Sequence, residues 1–234
     1  GCWIYEIGKI YFSENEEIHE RNILSGIICG CRRLEIWQNS GKYQNLNYYE
    51  ARGILDKVFI SLKLQINEMP LLDDELLHPG RASSLFMEGK KIGKFGQIHP
   101  MLSDESQLPL ESYIFEIDFN SLINSAIRPS KWVPRFTKYS SFPSMERDIT
   151  ILISNNCISR DIEKILSKVG KPLLKSLQLT DKYVGTNIDK DKVSLTYRLT
   201  FNSTERTIKE EDILPTYNKI IDELRNKLNC EIRI

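Results

Sequence analysis

One short segment of the sequence combines residue types that could do acid–base chemistry. His78-Pro79-Gly80-Arg81 places an imidazole and a guanidinium three residues apart. A histidine can transfer protons near neutral pH, and an arginine can clamp an anion. The same four residues also fit a Pro-Gly turn whose His and Arg tie neighbouring loops together. We favour the turn, because no paired carboxylates or activated nucleophile can be assigned beside it.

The usual signatures of a self-contained active site are missing. The sequence has no Gly-x-x-x-x-Gly-Lys-Ser/Thr, Gly-x-Ser-x-Gly or His-Glu-x-x-His motif. Its five cysteines are scattered and, with only three histidines, do not have zinc-binding spacing. We therefore expect no catalytic residues and no metal site on this chain.

The second half of the chain predicts a sheet with one polar face. Residues 193–201 alternate strictly, with apolar residues on one side and Ser194, Thr196 and Arg198 on the other. Arg233, in a last short strand, joins the polar set. Such a face could hold splayed RNA bases. From the pattern alone, an ordinary solvated face is the favoured interpretation.

The elements that carry this face follow the order β-α-β-β-α-β. The first helix is predicted over 159–169 with Ser159 as its cap, and the second follows the capping-box pattern Thr207-x-x-Glu210. Each helix has an apolar stripe, so both are expected on one face of the sheet. The order is typical of the ferredoxin-like fold and leaves the other face open.

The first half reads as strands and turns with two helices. The predicted elements are a strand at 3–12, a charged turn at 16–21, a strand at 23–28, an amphipathic helix at 48–64, a hairpin at 83–99, a strand at 113–119 and a short helix at 122–126. A basic, Pro-containing linker at 131–139 follows, and we place the domain boundary there, between 1–130 and 140–234. This linker is either a solvated loop or a basic seam near a phosphate backbone.

Composition limits the class of protein. The chain has 234 residues, of which 41% are hydrophobic, with 32 basic and 32 acidic residues. A folded protein is therefore expected, and a strongly basic nucleic-acid coat is excluded. No apolar run approaches the roughly 20 residues of a membrane span, and the start does not resemble a signal peptide. We expect neither a membrane partner nor export.

Several short segments follow one another in an order that is specific as a set. They are HPGRAS at 78–83, GKKIGKFGQIHP at 89–100, FEID at 115–118, YSSFPSMERD at 139–148, DKYVG at 181–185, KVSL at 192–195 and FNSTERT at 201–207. In this order they resemble the C-terminal part of the bacterial-type phenylalanyl-tRNA synthetase β subunit. Upstream, Tyr49-Glu50-Ala51-Arg52-Gly53 looks like an aromatic-x-x-Lys-Gly element of that family, with Arg52 in place of the lysine.

The resemblance implies an α+β chain with two parts. Residues 1–130 would be an antiparallel class II synthetase-like domain that has lost its catalytic motifs, and residues 140–234 a ferredoxin-like anticodon-binding domain. ATP, magnesium and the joining of phenylalanine to tRNA(Phe) would belong to the complete enzyme, with catalytic residues on an α subunit in an α2β2 tetramer. The expected location is a bacterial cytoplasm or a plastid stroma.

The resemblance also implies four residues that hold the anticodon: Asp181, Tyr183, Ser194 and Arg233. Tyr183 would stack on the first anticodon base, and Asp181 would contact the anticodon beside it. Regular alternation from Leu177 and Leu179 instead turns Tyr183 towards the core. A bulge between Leu179 and Asp181 is needed to reconcile the two.

Two other functions stay open at this point. A regulatory module that binds a small molecule between paired ferredoxin-like sheets would dimerise through its sheet and bind no RNA. A self-contained enzyme that uses His78 and Arg81 would need a concave pocket around them, with acids of perturbed pKa nearby.

Overall fold

The computed structural model describes residues 2–14, 16–31, 45–133, 136, 139–185 and 187–233. Within them the chain divides into two compact units, residues 1–134 and 135–234, which we describe separately. No helix in these described ranges is both long enough and apolar enough to cross a membrane.

The first unit is built on a six-stranded antiparallel sheet of order β1-β2-β6-β5-β4-β3. Its strands are β1 (Cys2–Glu14), β2 (Glu17–Cys29), β3 (Ile66–Pro70), β4 (Leu77–Met87), β5 (Lys90–Ile98) and β6 (Ser112–Asp118). The helices described in this unit are α1 (Tyr48–Ser61), between β2 and β3, α2 (Pro100–Glu105), between β5 and β6, and α3 (Phe119–Ala126) and α4 (Pro129–Trp132), which follow β6. The core lies between one face of this sheet and α1 and α3.

Local sequence explains where α1 begins. The Asn47 side chain accepts from the Glu50 N–H, and the Glu50 carboxylate accepts from the Asn47 N–H, each at 3.0 Å. This reciprocal pair satisfies two backbone donors at the helix start. Leu55 and Phe59, one helical turn apart, are then buried against the sheet. The amphipathic helix predicted at 48–64 is confirmed.

Two local predictions for the first unit were wrong, and some short elements were missed. The residues expected as a charged turn, 16–21, lie mostly in β2, because β1 and β2 pair in register out to Glu14 and Glu17. Pro79-Gly80 lies inside β4, where the register against β5 shifts between Leu77 and Ala82, rather than in a turn between elements. Strand β3 and helix α2 had no strong periodic signal and were missed.

The predicted linker at 131–139 is only partly described. Lys131 and Trp132 end α4, and the Trp132 indole Nε1 donates to the Ala126 carbonyl at 2.6 Å. The Lys63 ammonium lies 4.8 Å from the centre of the same ring. These contacts attach the start of the predicted linker to the first unit. Residues 134, 135, 137 and 138 lie outside the described residues.

The second unit is a four-stranded antiparallel sheet of order β10-β7-β9-β8 with two helices. Its elements are β7 (Met145–Ser154), α5 (Ser159–Val169), β8 (Leu174–Tyr183), β9 (Lys192–Phe201), α6 (Glu210–Leu228) and β10 (Glu231–Arg233). Both helices pack on the face that carries Ile149, Ile151, Leu195 and Tyr197. The predicted βαββαβ order and the open opposite face are confirmed.

The two predicted helix caps of this unit were wrong. Ser159 is the first helical residue and makes no capping hydrogen bond. Helix α6 begins three residues after Thr207, where the Asp212 carboxylate accepts from the Lys209 N–H at 2.9 Å. Ile208, just before the cap, is buried in the same cluster as Ile213 in the first turns of the helix. This packing fixes the direction in which the chain enters the helix. Burial of Ile208 therefore sets the start of α6 later than the Thr207 pattern indicated.

Candidate nucleic-acid interface

Strand β8 contains the bulge that the alternation required. Leu179 is opposite Tyr197 and Asp181 is opposite Thr196, so Thr180 is an extra residue in β8. The Thr180 hydroxyl Oγ1 donates to the Thr196 carbonyl at 3.0 Å. This bond supplies a partner where the regular ladder is interrupted. After the bulge, Asp181 and Tyr183 lie on the open face, although Leu179 before it faces the helices.

The four predicted site residues share this face. Tyr183 is opposite Ser194 on β9. Asp181 begins a row that continues across the sheet through Thr196 and Thr150 to Arg233. The structure therefore brings the side chains of Asp181, Tyr183, Ser194 and Arg233 onto one surface. We call this the open face.

Hydrogen bonding separates the residues of the open face into two groups. Arg198 donates to Asp148 through Nε and Nη2, both at 2.9 Å, and Lys192 donates to Glu231 at 2.9 Å. By contrast, the side chains predicted to form the site have no hydrogen-bond or salt-bridge partner among the described residues; they are Asp181, Tyr183, Ser194 and Arg233. Their donors and acceptors are therefore available to a ligand.

The charges of the open face nearly balance. Among the described residues its acidic side chains are Glu146, Asp148, Asp181 and Glu231, and its basic side chains are Lys192, Arg198 and Arg233, which gives these residues a net charge of −1. The hydrogen bonds from Arg198 hold the pKa of Asp148 below its usual range. Those bonds also raise the pKa of Arg198. A surface with this balance does not attract phosphates strongly, so a nucleic acid on it would have to be held by base stacking and specific hydrogen bonds.

Tyr183 is the aromatic group that this surface offers for stacking. It is the last residue of β8, an edge strand, and its side chain is 43% exposed. An aromatic ring at a sheet edge gives a base a flat apolar surface whatever its sequence. The structure also adds Gln178, which the sequence reasoning missed. It is exposed and opposite Arg198, on the same face.

His78 and Arg81 do not form an acid–base site. The His78 Nδ1 accepts from the Gly80 N–H at 3.0 Å, in the part of β4 where the register against β5 shifts. Arg81 Nη1 donates to Gln97 Oε1 at 2.8 Å and lies 3.6 Å from Glu111 Oε1. Both side chains therefore bond to nearby protein groups, His78 within β4 and Arg81 to β5 and Glu111, whereas the structural interpretation placed them at a turn that ties loops together.

No metal site is found in the part of the chain that the structure describes, where no three His, Cys, Asp or Glu side chains come together in a suitable cluster.

Arg52, which replaces the lysine of the family's element, is buried. Its Nε lies 2.5 Å from Glu68 Oε1 and its Nη1 lies 2.7 Å from Asp56 Oδ1. A planar guanidinium suits two carboxylates at once, so the arginine has its own structural role here.

Each of the two units matches the model of a known protein family. Residues 2–119 match the family model described as the phenylalanyl tRNA synthetase beta chain CLM domain, and residues 140–233 match the ferredoxin-fold anticodon binding domain. The chain belongs to the phenylalanyl-tRNA synthetase β-subunit family. Its ferredoxin-like unit is thus the family's anticodon-binding domain, and the open face is a surface of that domain.

Curated relatives in the β-subunit family match along the whole chain. Proteins named phenylalanine–tRNA ligase beta subunit from Synechococcus sp. (strain CC9902) and Prochlorococcus marinus (strain MIT 9313) are each 40% identical over 233 residues, 100% of this chain. A protein of the same name from Trichormus variabilis is 36% identical over 229 residues, 98% of this chain. The chain spans 28–29% of the length of these relatives.

Proposed function

We propose that this chain is the part of a phenylalanine–tRNA ligase β subunit that holds the anticodon of tRNA(Phe) on the open face. The observation that carries the proposal is the Thr180 bulge. It turns Asp181 and Tyr183 to the same side as Ser194 and Arg233, and none of these four side chains has a partner among the described residues. Unpaired polar groups beside an exposed aromatic ring are what single-stranded RNA recognition needs.

Each side chain has a distinct part in this proposal. Tyr183 stacks on the first anticodon base, which contributes roughly 1–3 kcal/mol. The Asp181 carboxylate accepts hydrogen bonds from N–H groups on a base edge, and the Arg233 guanidinium donates to base or phosphate oxygens. The Ser194 hydroxyl, opposite Tyr183, can donate or accept.

The first unit has a different proposed role. Its antiparallel sheet and its match to the β-chain family support a class II synthetase-like domain that is catalytically inactive. We propose that adenylation and transfer, with ATP and magnesium, take place on a partner α subunit in an α2β2 tetramer. The relatives' name, which designates a beta subunit, supports a second kind of subunit. The location in a bacterial cytoplasm or plastid stroma stays a prediction.

The decisive experiment measures tRNA affinity in the full-length β subunit assembled with its α subunit. Tyr183→Ala is expected to weaken tRNA(Phe) binding about tenfold, a loss within the range of one stacked base. The rate of phenylalanine-dependent ATP–pyrophosphate exchange, which needs no tRNA, is expected to stay the same. Leu179→Ala is the matched control, because Leu179 lies on the same strand but faces the helices. Lost exchange with normal tRNA affinity contradicts the proposal.

The same preparation tests the two other functions. A regulatory module predicts dimerisation of the second unit through its open face and no preference for tRNA(Phe). A self-contained enzyme predicts that His78→Ala abolishes phenylalanine activation. We expect neither result, since the open face has unpaired ligand-binding groups and His78 is hydrogen-bonded to its own strand.

A further inference from the structure

The Tyr183 side chain occupies the space that a side chain at Gly185 would need. A Cβ added to Gly185 would lie 2.3 Å from Tyr183 Oη, 2.5 Å from Cζ and 3.1 Å from Cε1. Together these distances put that Cβ above the plane of the ring, over the Cζ–Oη bond, and not at the ring edge. The hydroxyl end of the Tyr183 ring therefore lies with one face towards Gly185.

Gly185 is needed for space and not for backbone freedom. Its φ angle lies outside the left-handed region, unlike Gly89 in the β4–β5 turn, where φ is +84°. An alanine at 185 could therefore adopt the backbone, but its methyl group would occupy the position of the Tyr183 ring. At Gly53 in α1, an added Cβ has no atom within 4 Å, so an alanine there meets no such restriction. Other glycines are also crowded, but at Gly185 all three of the nearest atoms belong to the Tyr183 side chain.

We propose that Gly185 is a positioning residue for base stacking. By supporting one face of the Tyr183 ring, it holds the ring at the end of β8 with its other face free for the first anticodon base. A side chain at 185 would rotate the ring away from this position. The inference rests on the proposed function, because it assigns Gly185 an effect on RNA only through Tyr183.

The test is a double-mutant cycle in the full-length β subunit assembled with its α subunit. The variants are Gly185→Ala, Tyr183→Ala and the combination, with Gly53→Ala as the control. The probe is a tRNA(Phe) transcript with 2-aminopurine at the first anticodon position, which reports affinity and stacking together. We expect Gly185→Ala to weaken binding fivefold to tenfold and to reduce the fluorescence change on binding. In the Tyr183→Ala background, the same substitution should change affinity less than twofold.

Two results would overturn the inference. The first is normal affinity and normal fluorescence for Gly185→Ala. The second is an equal loss of affinity in both backgrounds, which would mean that Gly185 acts through the β8–β9 connection and not through the Tyr183 ring. If Gly185→Ala lowers the thermal unfolding midpoint, adding Tyr183→Ala must restore it. A midpoint that stays low also overturns the inference. If Tyr183→Ala itself leaves affinity unchanged, the proposed function fails, and the two failures are thus distinguishable.

Discussion

Asp181 and Arg233 lie at opposite ends of one row of residues that crosses the whole sheet of the second unit. Thr196 and Thr150 lie between them, with their hydroxyl oxygens 3.0 Å apart. Three interstrand steps separate the two charges, roughly 14 Å. Neither charge is neutralised by another described residue. A ligand lying along this row therefore meets an acceptor at one end and a cationic donor at the other.

Removing the charge of Asp181 should weaken cognate binding. Because a hydrogen bond to a charged group contributes about 1.5–3 kcal/mol, we expect Asp181→Asn to lower tRNA(Phe) affinity about tenfold or more. Arg233→Ala should have a similar effect. Filter binding with the assembled enzyme measures both. Asp222→Asn is the matched control, since Asp222 is exposed on α6, away from the open face. A loss as large in the control would show that total charge, and not the row, determines affinity.

Releasing Arg198 should make binding less selective. Asp148→Asn removes one of its two carboxylate neighbours and changes the net charge of the open face from −1 to zero. We expect a noncognate tRNA to bind several-fold more tightly at low salt, with a steeper fall in affinity as salt increases. Affinities of tRNA(Phe) and a noncognate tRNA over a salt series test this. Equal changes for both RNAs at every salt concentration would contradict it.

Tyr197 should make the second unit sensitive to alkali. Its side chain is fully buried, and its hydroxyl makes no hydrogen bond of normal geometry with a described residue, although Ser159 lies near it. Burial raises its pKa to about 12, and the nearby Ser159 opposes that rise. In the unfolded chain a tyrosine has a pKa of about 10. The neutral hydroxyl is therefore favoured by folding, so its contribution is complete below about pH 10 and is lost as pH rises towards the folded pKa.

Replacing Tyr197 by phenylalanine isolates this contribution. We expect Tyr197→Phe to have equal or higher stability at pH 7, because an unpaired buried hydroxyl is removed. Above pH 10 its free energy of unfolding should fall less steeply than that of the wild type. Urea unfolding at pH 7, 9 and 10.5 measures the difference, with Tyr183→Phe as an exposed control. A variant clearly less stable at pH 7 would reveal a hydrogen bond that the hydroxyl makes.

The order of elements could be predicted from sequence because the periodic signals are long. Strand β9 alternates over ten residues, and α5 has its stripe at Ile162 and Leu166. The starts of helices were less predictable, because capping patterns are short and tertiary burial overrides them. At α6, burial of Ile208 set the boundary that Thr207 alone did not.

The site was only partly predictable for a related reason. Arg198 could be placed on the open face by alternation, but its partner Asp148 is 50 residues away in sequence, and only the β7–β9 register brings them together. Likewise, the alternation of β8 by itself turns Tyr183 to the wrong side. Its contact with Gly185 depends on the ring's orientation, which no sequence pattern specifies.

The extra residue in β8 separates the part of the strand that belongs to the hydrophobic interior from the part that carries the recognition residues. Leu177 and Leu179, on the helix-covered face, precede Thr180, and Asp181 and Tyr183, on the open face, follow it. A one-residue deletion there would reverse the direction of every later side chain in the strand and leave the upstream register intact. A fold of this type can thus gain or lose a recognition surface through a single-codon indel, without any substitution in its hydrophobic interior.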